Sequence, residues 1–322
     1  MNNISILFFG TSEFAVPALE ALAGSGYRIV GVVTNPDEPV GRKHVLTAPP
    51  VKLCAARHGI PILQPDKLDA AHFAREAPAA DLYIIAAYGK IIPQAILDIP
   101  RYGALNIHPS LLPRWRGPSP IQHTILAGDA ETGVTIIKID AQMDHGPILA
   151  RRELAITKLQ ITNYKPEYPE LHDQLAKLGV ELLIETLPKW IAGEITPMTQ
   201  DDSQATYCKL LTKEDGKIDW NKPAEEIERM IRAFRPWPGT WTIWRTSERD
   251  LRIRIEEADW IEDEMPGASE GSVSKNETHP LLVQSGRGSL AIQKLQVEGG
   301  SVTDAASFLR GHPSFIGTQL LL

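Results

Sequence analysis

The sequence predicts an α/β protein: a mostly parallel sheet covered by helices in residues 1–190, then a smaller β-barrel in residues 207–322. Three observations carry this expectation. Short apolar runs alternate with helix-period segments in the first half, as parallel strands buried on both faces require. Beyond about residue 190 the pattern changes to closely spaced short strands separated by turn residues. A polar, aperiodic stretch, GEITPMTQDDSQAT at 193–206, divides the two and reads as a linker over 191–206.

The elements follow in order. Residues 4–9 form a buried strand ended by Gly10. Phe14, Val16, Leu19 and Leu22 recur at helical spacing, and Gly24 and Gly26 close that helix. Residues 28–33 are a second strand, 51–57 a helix stopped by Gly59, and 61–63 a short strand. Residues 81–88 (DLYIIAAY), 103–108 (GALNIH) and 133–139 (GVTIIKI) are three more strands. A helix resumes at about Pro169. In the second half, 223–234 reads as one helix, followed by strands at 240–244, 250–256, 272–274, 281–284 and 289–297. Along 251–255 Leu, Ile and Ile alternate with Arg252 and Arg254, so the arginines point outward.

Composition bounds the function. The chain has 322 residues, a length that suits two domains. With 33 Lys and Arg against 40 Asp and Glu the net charge is −7, which excludes a generally basic nucleic-acid binder. The two cysteines, Cys54 and Cys208, have no zinc or disulfide spacing. No stretch approaches the roughly 18 apolar residues of a membrane helix. The reading is a soluble protein of the reducing cytoplasm, without a metal and acting as a monomer. Its ligand belongs at the carboxyl ends of the parallel strands.

Phosphate-cradle motifs fail: Gly10-Thr11-Ser12 follows the first strand, but neither GxGxxG nor GxxxxGK[ST] is present. Gly10 reads as a tight turn and Ser12 as a helix cap. The informative stretch is LNIHPSLLPRWRGP at 105–118. Asn106 and His108 lie two apart on a strand and face one side, while Ile107 faces the other layer. Asp144 follows the next strand at the same edge of the sheet, where a carboxylate orients or supports an imidazole. Ser110 lacks the surroundings of a nucleophile elbow. His108, His123, Asp144 and His145 lack the helical spacing of a zinc site. The set instead suits direct transfer between two bound substrates. Asn106 and His108 would stabilise a carbonyl oxygen that gains charge, and Asp144 would manage the proton of an attacking amine.

The segment LNIHPSLLPRWRGPSPIQ, with Asp144 in a D-x-G loop downstream, resembles the 10-formyltetrahydrofolate-dependent formyltransferases. FFGTSEFAVPALEAL, VVTNPDEPVGRK, PPVK, AAYGKIIP, AGDAETGVTI and RAFRPWPGTW narrow the resemblance to members that act on initiator methionyl-tRNA. The resemblance covers nearly the whole chain. It implies a Rossmann-like catalytic domain and an OB-like C-terminal barrel that binds tRNA. It also implies Asn106, His108 and Asp144 as the catalytic set, and Ser110, Leu111, Leu112 and Pro113 as a folate-contacting turn. Ala87, Tyr88 and Gly89 would line the folate pocket. The implied reaction passes the formyl group of 10-formyltetrahydrofolate directly to the methionyl α-amine.

By the same resemblance, the loop at 35–47 faces the acceptor stem with Arg42 and Lys43 at its tip, fewer basic residues than the family usually has there. Residues 157–172 depart from the family pattern, being longer and rich in Tyr and Pro. An amino-sugar nucleotide N-formyltransferase would use the same Asn–His–Asp set, and a non-catalytic RNA-binding protein is a second alternative. Seven arginines against Glu248 and Asp250 fall in 229–254, while 256–264 holds six acids and no base. A phosphate-facing surface is therefore expected from Arg229, Arg232 and Arg235, with Arg245, Arg252 and Arg254.

Overall fold

The structure is a computed structural model that describes every residue except 1–3, 42, 43, 157–164, 264, 266, 321 and 322. The chain divides into two compact units. The first comprises Met1–Pro120, Ala130–Tyr164 and Leu171–Lys209; the second comprises Ile121–Asp129, Lys165–Glu170 and Leu210–Leu322. Residues 193–206, expected to be a linker, lie within the first unit.

Up to Pro120, the first unit runs β1 (Ser5–Gly10), α1 (Val16–Gly24), β2 (Arg28–Val33), β3 (Glu38–Val40), β4 (Val45–Thr47) and α2 (Pro50–Arg57). It continues with β5 (Ile62–Leu63), α3 (Ala70–Glu76), β6 (Leu82–Ala86), α4 (Gln94–Leu97) and β7 (Ala104–His108). Beyond α5 (Pro120–Ala127) come β8 (Glu131–Lys138), β9 (Ile148–Ala155) and α6 (Tyr168–Ile191). The sheet has the order β5-β2-β1-β6-β7-β8-β9. The strands from β5 to β7 run parallel, and β8 and β9 are antiparallel additions. The chain builds outward from β1 through β2 to β5, then returns to the other side of β1 with β6. The switch point therefore lies between β1 and β6, the place where such sheets bind ligands.

Alternate residues of the strands feed two layers, as the pleat requires. Leu7, Phe9, Val33, Tyr83 and Ile85 pack with Phe73, Ile96 and Leu97 of α3 and α4. Ile107 faces α6, where a Cβ on Gly179 would come within 2.8 Å of its Cγ2. This contact holds Ile107 in one layer and turns Asn106 and His108 to the other face. At the strand starts, Asp81 accepts hydrogen bonds from the amide and hydroxyl of Ser5 at 2.8 and 2.6 Å, tying β6 to β1. Ser12 makes no side-chain cap, contrary to expectation. Its neighbour Thr11 instead donates to the Tyr88 carbonyl at 2.9 Å.

The second unit contains α7 (Ala224–Ala233), β10 (Thr240–Arg245), β11 (Asp250–Ile261), β12 (Val273–Ser274), β13 (Leu282–Gln284), β14 (Ser289–Val297), β15 (Val302–Asp304) and α8 (Ala305–Gly311). Its six strands form an antiparallel sheet in the order β10-β11-β14-β13-β12, with β15 also on β14. Two register shifts interrupt the pairing of β11 with β14, the device by which a long strand bends around a core. The core gathers Trp220, Ile227 and Ile231 with Ile253, Ile255, Leu290, Leu295, Phe308 and Phe315. Ile253 and Ile255 are buried and Arg252 is exposed, as the alternation predicts.

Candidate active site

The carboxyl end of β7 carries the expected set. Asp144 Oδ1 accepts from Asn106 Nδ2 at 3.3 Å and lies 3.6 Å from His108 Nδ1. Asp144 Oδ2 accepts from the Gly117 amide at 2.8 Å. His108 is buried, and its Nε2 lies 2.9 Å from the carbonyl oxygen of Trp115. A carbonyl only accepts, so Nε2 carries a hydrogen whether the ring is neutral or charged. Nδ1 is therefore the nitrogen that gains and loses a proton, and it faces Asp144. Asn106 holds the carboxylate with one amide hydrogen and keeps the other.

The turn that follows is held from inside. Thr135, opposite His108 on β8, donates to the Ser110 carbonyl at 2.7 Å and accepts from the Leu112 amide at 3.1 Å. The Ser110 hydroxyl donates to the Arg114 carbonyl at 2.6 Å. Ser110 and Leu112 are buried, so Leu111 and Pro113 are the partly exposed side chains of the turn.

Residues 87–89 follow β6 at the switch point. Ala87 and Gly89 are exposed with φ of 43° and 82°, and Tyr88 between them is buried. Burial pushes the Tyr88 phenol up to about 12. The Tyr88 hydroxyl, Thr34 Oγ1 and Asn35 Oδ1 are buried and make no hydrogen bond to the protein. The Tyr88 ring packs in the core edge-on to Phe9, so at this turn it is the exposed backbone of Ala87 and Gly89 that faces outward.

The segment expected to be a linker supplies residues that sequence reasoning missed. Gln200 Nε2 donates to the carbonyls of both Asp144 and Gly146 at 2.8 Å. Its Oε1 accepts from Arg116 Nε at 3.0 Å. Arg116 is only 1% exposed and also donates to Asp202 at 2.8 Å and to the Tyr207 hydroxyl at 3.3 Å. Thr206 Oγ1 accepts from the Trp115 amide at 2.9 Å. Gly117 meets the same segment: a Cβ there would lie 2.3 Å from the Cys208 carbonyl oxygen, at a φ of +121°. Arg116 was the available signal. No acid occurs from residue 99 to 128, so a guanidinium buried there must find its anion elsewhere in the chain.

Around the loop, His145 Nδ1 pairs with Asp140 at 2.7 Å, and its Nε2 lies 3.5 Å from Asp202. The Asp140 carboxylate holds the His145 imidazole above its ordinary value, and Arg116 holds Asp202 below its own. Among the described residues, the one cluster with metal-ligand spacing is Glu20, Cys54 and His58, and none of His108, His123, Asp144 and His145 belongs to it. Both cysteines are free and buried.

The arginines expected at a phosphate surface are largely engaged within the second unit. Arg229 pairs with Glu225 at 2.6 Å and bonds the Leu126 carbonyl. Arg232 grips buried Glu228 through Nε and Nη2, at 2.8 and 3.0 Å, and bonds the Pro166 carbonyl. Arg235 pairs with Glu167 at 2.5 Å. Arg245 pairs with Asp250 and Arg254 with Glu256. Arg252 is exposed, with its guanidinium 3.9 Å from the centre of the Trp241 ring. Arg42, Lys43 and the first half of the altered segment, 157–164, lie outside the described residues.

Comparison with known proteins bears on both units. Residues 2–187 match the formyl transferase family and residues 210–313 the formyl transferase C-terminal domain. The chain is 45% identical over 309 residues to a methionyl-tRNA formyltransferase of Chloroflexus aurantiacus, covering 95% of this chain and 96% of the relative. It is 42% identical over 323 residues to one of Pelobacter propionicus, covering 99% and 97%. In fold it resembles an N-formyltransferase from Helicobacter canadensis, solved with folinic acid and dTDP-3-aminofucose. That likeness has a TM-score of 0.62 at 17% identity, over 90% of this chain and 99% of the other. HypX from Aquifex aeolicus, solved with tetrahydrofolic acid, gives a TM-score of 0.58 at 17% identity, over 96% of this chain and 47% of the other.

Proposed function

The chain belongs to the formyl transferase family in both of its halves, and on that footing we propose that it formylates the methionyl α-amine of initiator methionyl-tRNA. Relatives named methionyl-tRNA formyltransferase, alike over nearly the full length, support this substrate over an amino sugar. The donor in this reading is 10-formyltetrahydrofolate, which brings a formyl group on a nitrogen able to leave. The observation that carries the chemistry is the meeting of Asn106, His108 and Asp144 at the end of β7.

Each residue then has a task. The Trp115 carbonyl fixes the His108 ring through Nε2, so Nδ1 is the end presented to substrate. In the charged ring, Nδ1–H and the second amide hydrogen of Asn106 donate to the formyl oxygen as it gains negative charge. Asp144 Oδ1 accepts the proton that the methionyl ammonium must lose before its lone pair can attack the formyl carbon; as the oxyanion collapses the bond from that carbon to N10 breaks, the amine's second proton passes to N10, and tetrahydrofolate leaves. The turn at 110–113 and residues 87–89 hold the folate. The second unit takes the tRNA, and of the six arginines expected there Arg252 is exposed and left for a phosphate by the ion pairs of the other five. Arg42 and Lys43 add contacts near the acceptor end. The reading goes with a cytoplasmic monomer that needs no metal for transfer.

The test offers the purified protein 10-formyltetrahydrofolate with initiator Met-tRNA, elongator Met-tRNA or a dTDP-amino sugar. The expected product is formylmethionyl-tRNA from the initiator. Transfer to the sugar alone would refute the assignment. His108→Ala and Asp144→Asn should each lower kcat by at least about two orders of magnitude.

A further inference from the structure

Asp144 adopts a conformation that its own sequence does not favour. Its φ is +49°, a left-handed value that non-glycine residues seldom adopt, and two residues later Gly146 packs so closely that a Cβ would lie 1.9 Å from the Lys138 carbonyl oxygen. A loop bent in this way keeps its shape only if something outside it holds the bend. Its two flanking carbonyls, those of Asp144 and Gly146, converge on a single amide nitrogen, Gln200 Nε2, at 2.8 Å each. That amide is itself fixed, because Gln200 is buried and its Oε1 accepts from Arg116 Nε.

The same arginine reaches Asp144 by a second route. Arg116 precedes Gly117, whose amide donates to Asp144 Oδ2 at 2.8 Å. Oδ1 is thereby left for Asn106 and His108. The backbone at 115–117 is in turn clamped by the segment at 206–208: the Arg116 amide donates to the Thr206 carbonyl, and the Cys208 amide donates to the Arg116 carbonyl, both at 2.8 Å. The side chain of Arg116 closes the clamp on Asp202 and Tyr207. Both ends of Asp144 thus depend on one buried guanidinium.

We propose that Gln200, locked by Arg116, is a positioning residue that sets the orientation of Asp144 toward His108 Nδ1. The inference rests on the proton-handling role proposed for Asp144. Gln200 touches no substrate in this account. It acts through the peptide groups of the loop, and its influence is on turnover more than on binding. A carboxylate in its place would still accept from Arg116 but would face two carbonyl oxygens with no hydrogen to offer them.

The experiment compares Gln200→Glu, Gln200→Met and Asp144→Asn with the wild type. Thermal midpoints confirm folding, and kcat, both KM values and the pH profile of kcat are then read. Both Gln200 variants should lower kcat by about 100-fold with KM values within about twofold, because misplacing a catalytic group by about an ångström has that effect. The midpoint of the pH profile should move, because the proton is accepted at a carboxylate oxygen whose placement the loop sets. A fall in kcat with an unmoved pH profile would mean a merely structural role and would overturn the proposal. Unchanged kcat in both Gln200 variants would overturn it as well. If Asp144→Asn also retained full activity, the fault would lie with the role given to Asp144 and the proposal would fall with it.

Discussion

Thr135→Val removes the two hydrogen bonds that hold the turn after β7 while leaving its shape almost unchanged. The wild-type hydroxyl is fully buried, donates to the Ser110 carbonyl and accepts from the Leu112 amide. Valine fills the same volume, so no cavity opens, but one buried carbonyl and one buried amide lose their partner. Each unpaired group costs about 1–3 kcal/mol, so the two together cost about 2–6 kcal/mol. The added methyl returns about 1 kcal/mol of apolar burial, for a net loss of about 1–5 kcal/mol. Thr135→Ser is the control. It keeps both hydrogen bonds and loses one methyl, at about 1 kcal/mol or slightly more for the gap. The valine variant should therefore be the less stable of the two, although it is the better hydrophobic replacement.

The assay must read the first unit alone, because a chain of two units need not unfold in one step. Hydrogen exchange of peptides from β7 and β8 across a urea series does this. Function supplies the second measurement. Because the turn at 110–113 is proposed to hold the folate, Thr135→Val should raise KM for the donor and leave KM for the tRNA in place. A valine variant as stable as serine, or more so, would refute this account of how the turn is held.

Two further predictions follow from charge. Asp81 is held below the usual carboxylate range by the hydroxyl and amide of Ser5, Asp37 by the Gln64 amide and Lys52, and Asp202 by Arg116. Their folded values lie below the unfolded one, so their stabilisation is present above about pH 4 and is lost as pH falls through the folded values. His145 has the opposite sign: Asp140 raises it, so its contribution is present below about pH 6.5 and is lost as pH rises through the raised value. Thermal midpoints against pH should show both limbs, and Asp81→Asn should flatten the acid limb while Asp140→Asn flattens the neutral one. For tRNA binding, Arg252→Ala should reduce the salt slope by about 1 and Arg229→Ala should leave it nearly unchanged. The reason is that the Arg229 side chain is 17% exposed and already paired with Glu225. Equal effects of the two substitutions would contradict this.

The strands of the first unit were legible because burial on both faces writes them as continuous apolar runs. Residues 28–33 match β2 from end to end, and the turns at Gly10 and Gly24 mark its neighbours; in the second unit, 289–297 matches β14 likewise. β9 was not legible. It is an antiparallel edge strand whose ARRE core alternates too weakly for a period-2 pattern, and beyond β8 its other edge is bridged at Ile148 to Met198. The β3–β4 hairpin was hidden for a related reason: its three-residue strands are mostly exposed and carry no core to announce them. The pairing of Asn106 with His108 was legible from the period of a strand. Its reach to Asp144 was legible only as a shared edge of the sheet, since the distance depends on a loop whose conformation no local pattern specifies.

The deeper miss concerns residues 193–206. Their polarity and lack of period suggested solvent, yet Gln200 is 6% exposed and sits between Arg116 and the Asp144 loop. Polar composition marks a linker only when the polar groups are satisfied by water. Here Arg114 and Arg116 have no acid near them in sequence, the flanking ones being Asp98 and Asp129, and Arg116 is fully buried. A buried guanidinium without partners would be costly enough to unfold the site, so a remote polar segment has to supply the anion and the acceptors. Asp202, Gln200 and Tyr207 do so. The stretch that looks like a spacer is therefore part of the support for Asp144, and the demand for it is written some 80 residues earlier, in an arginine with no local counterion.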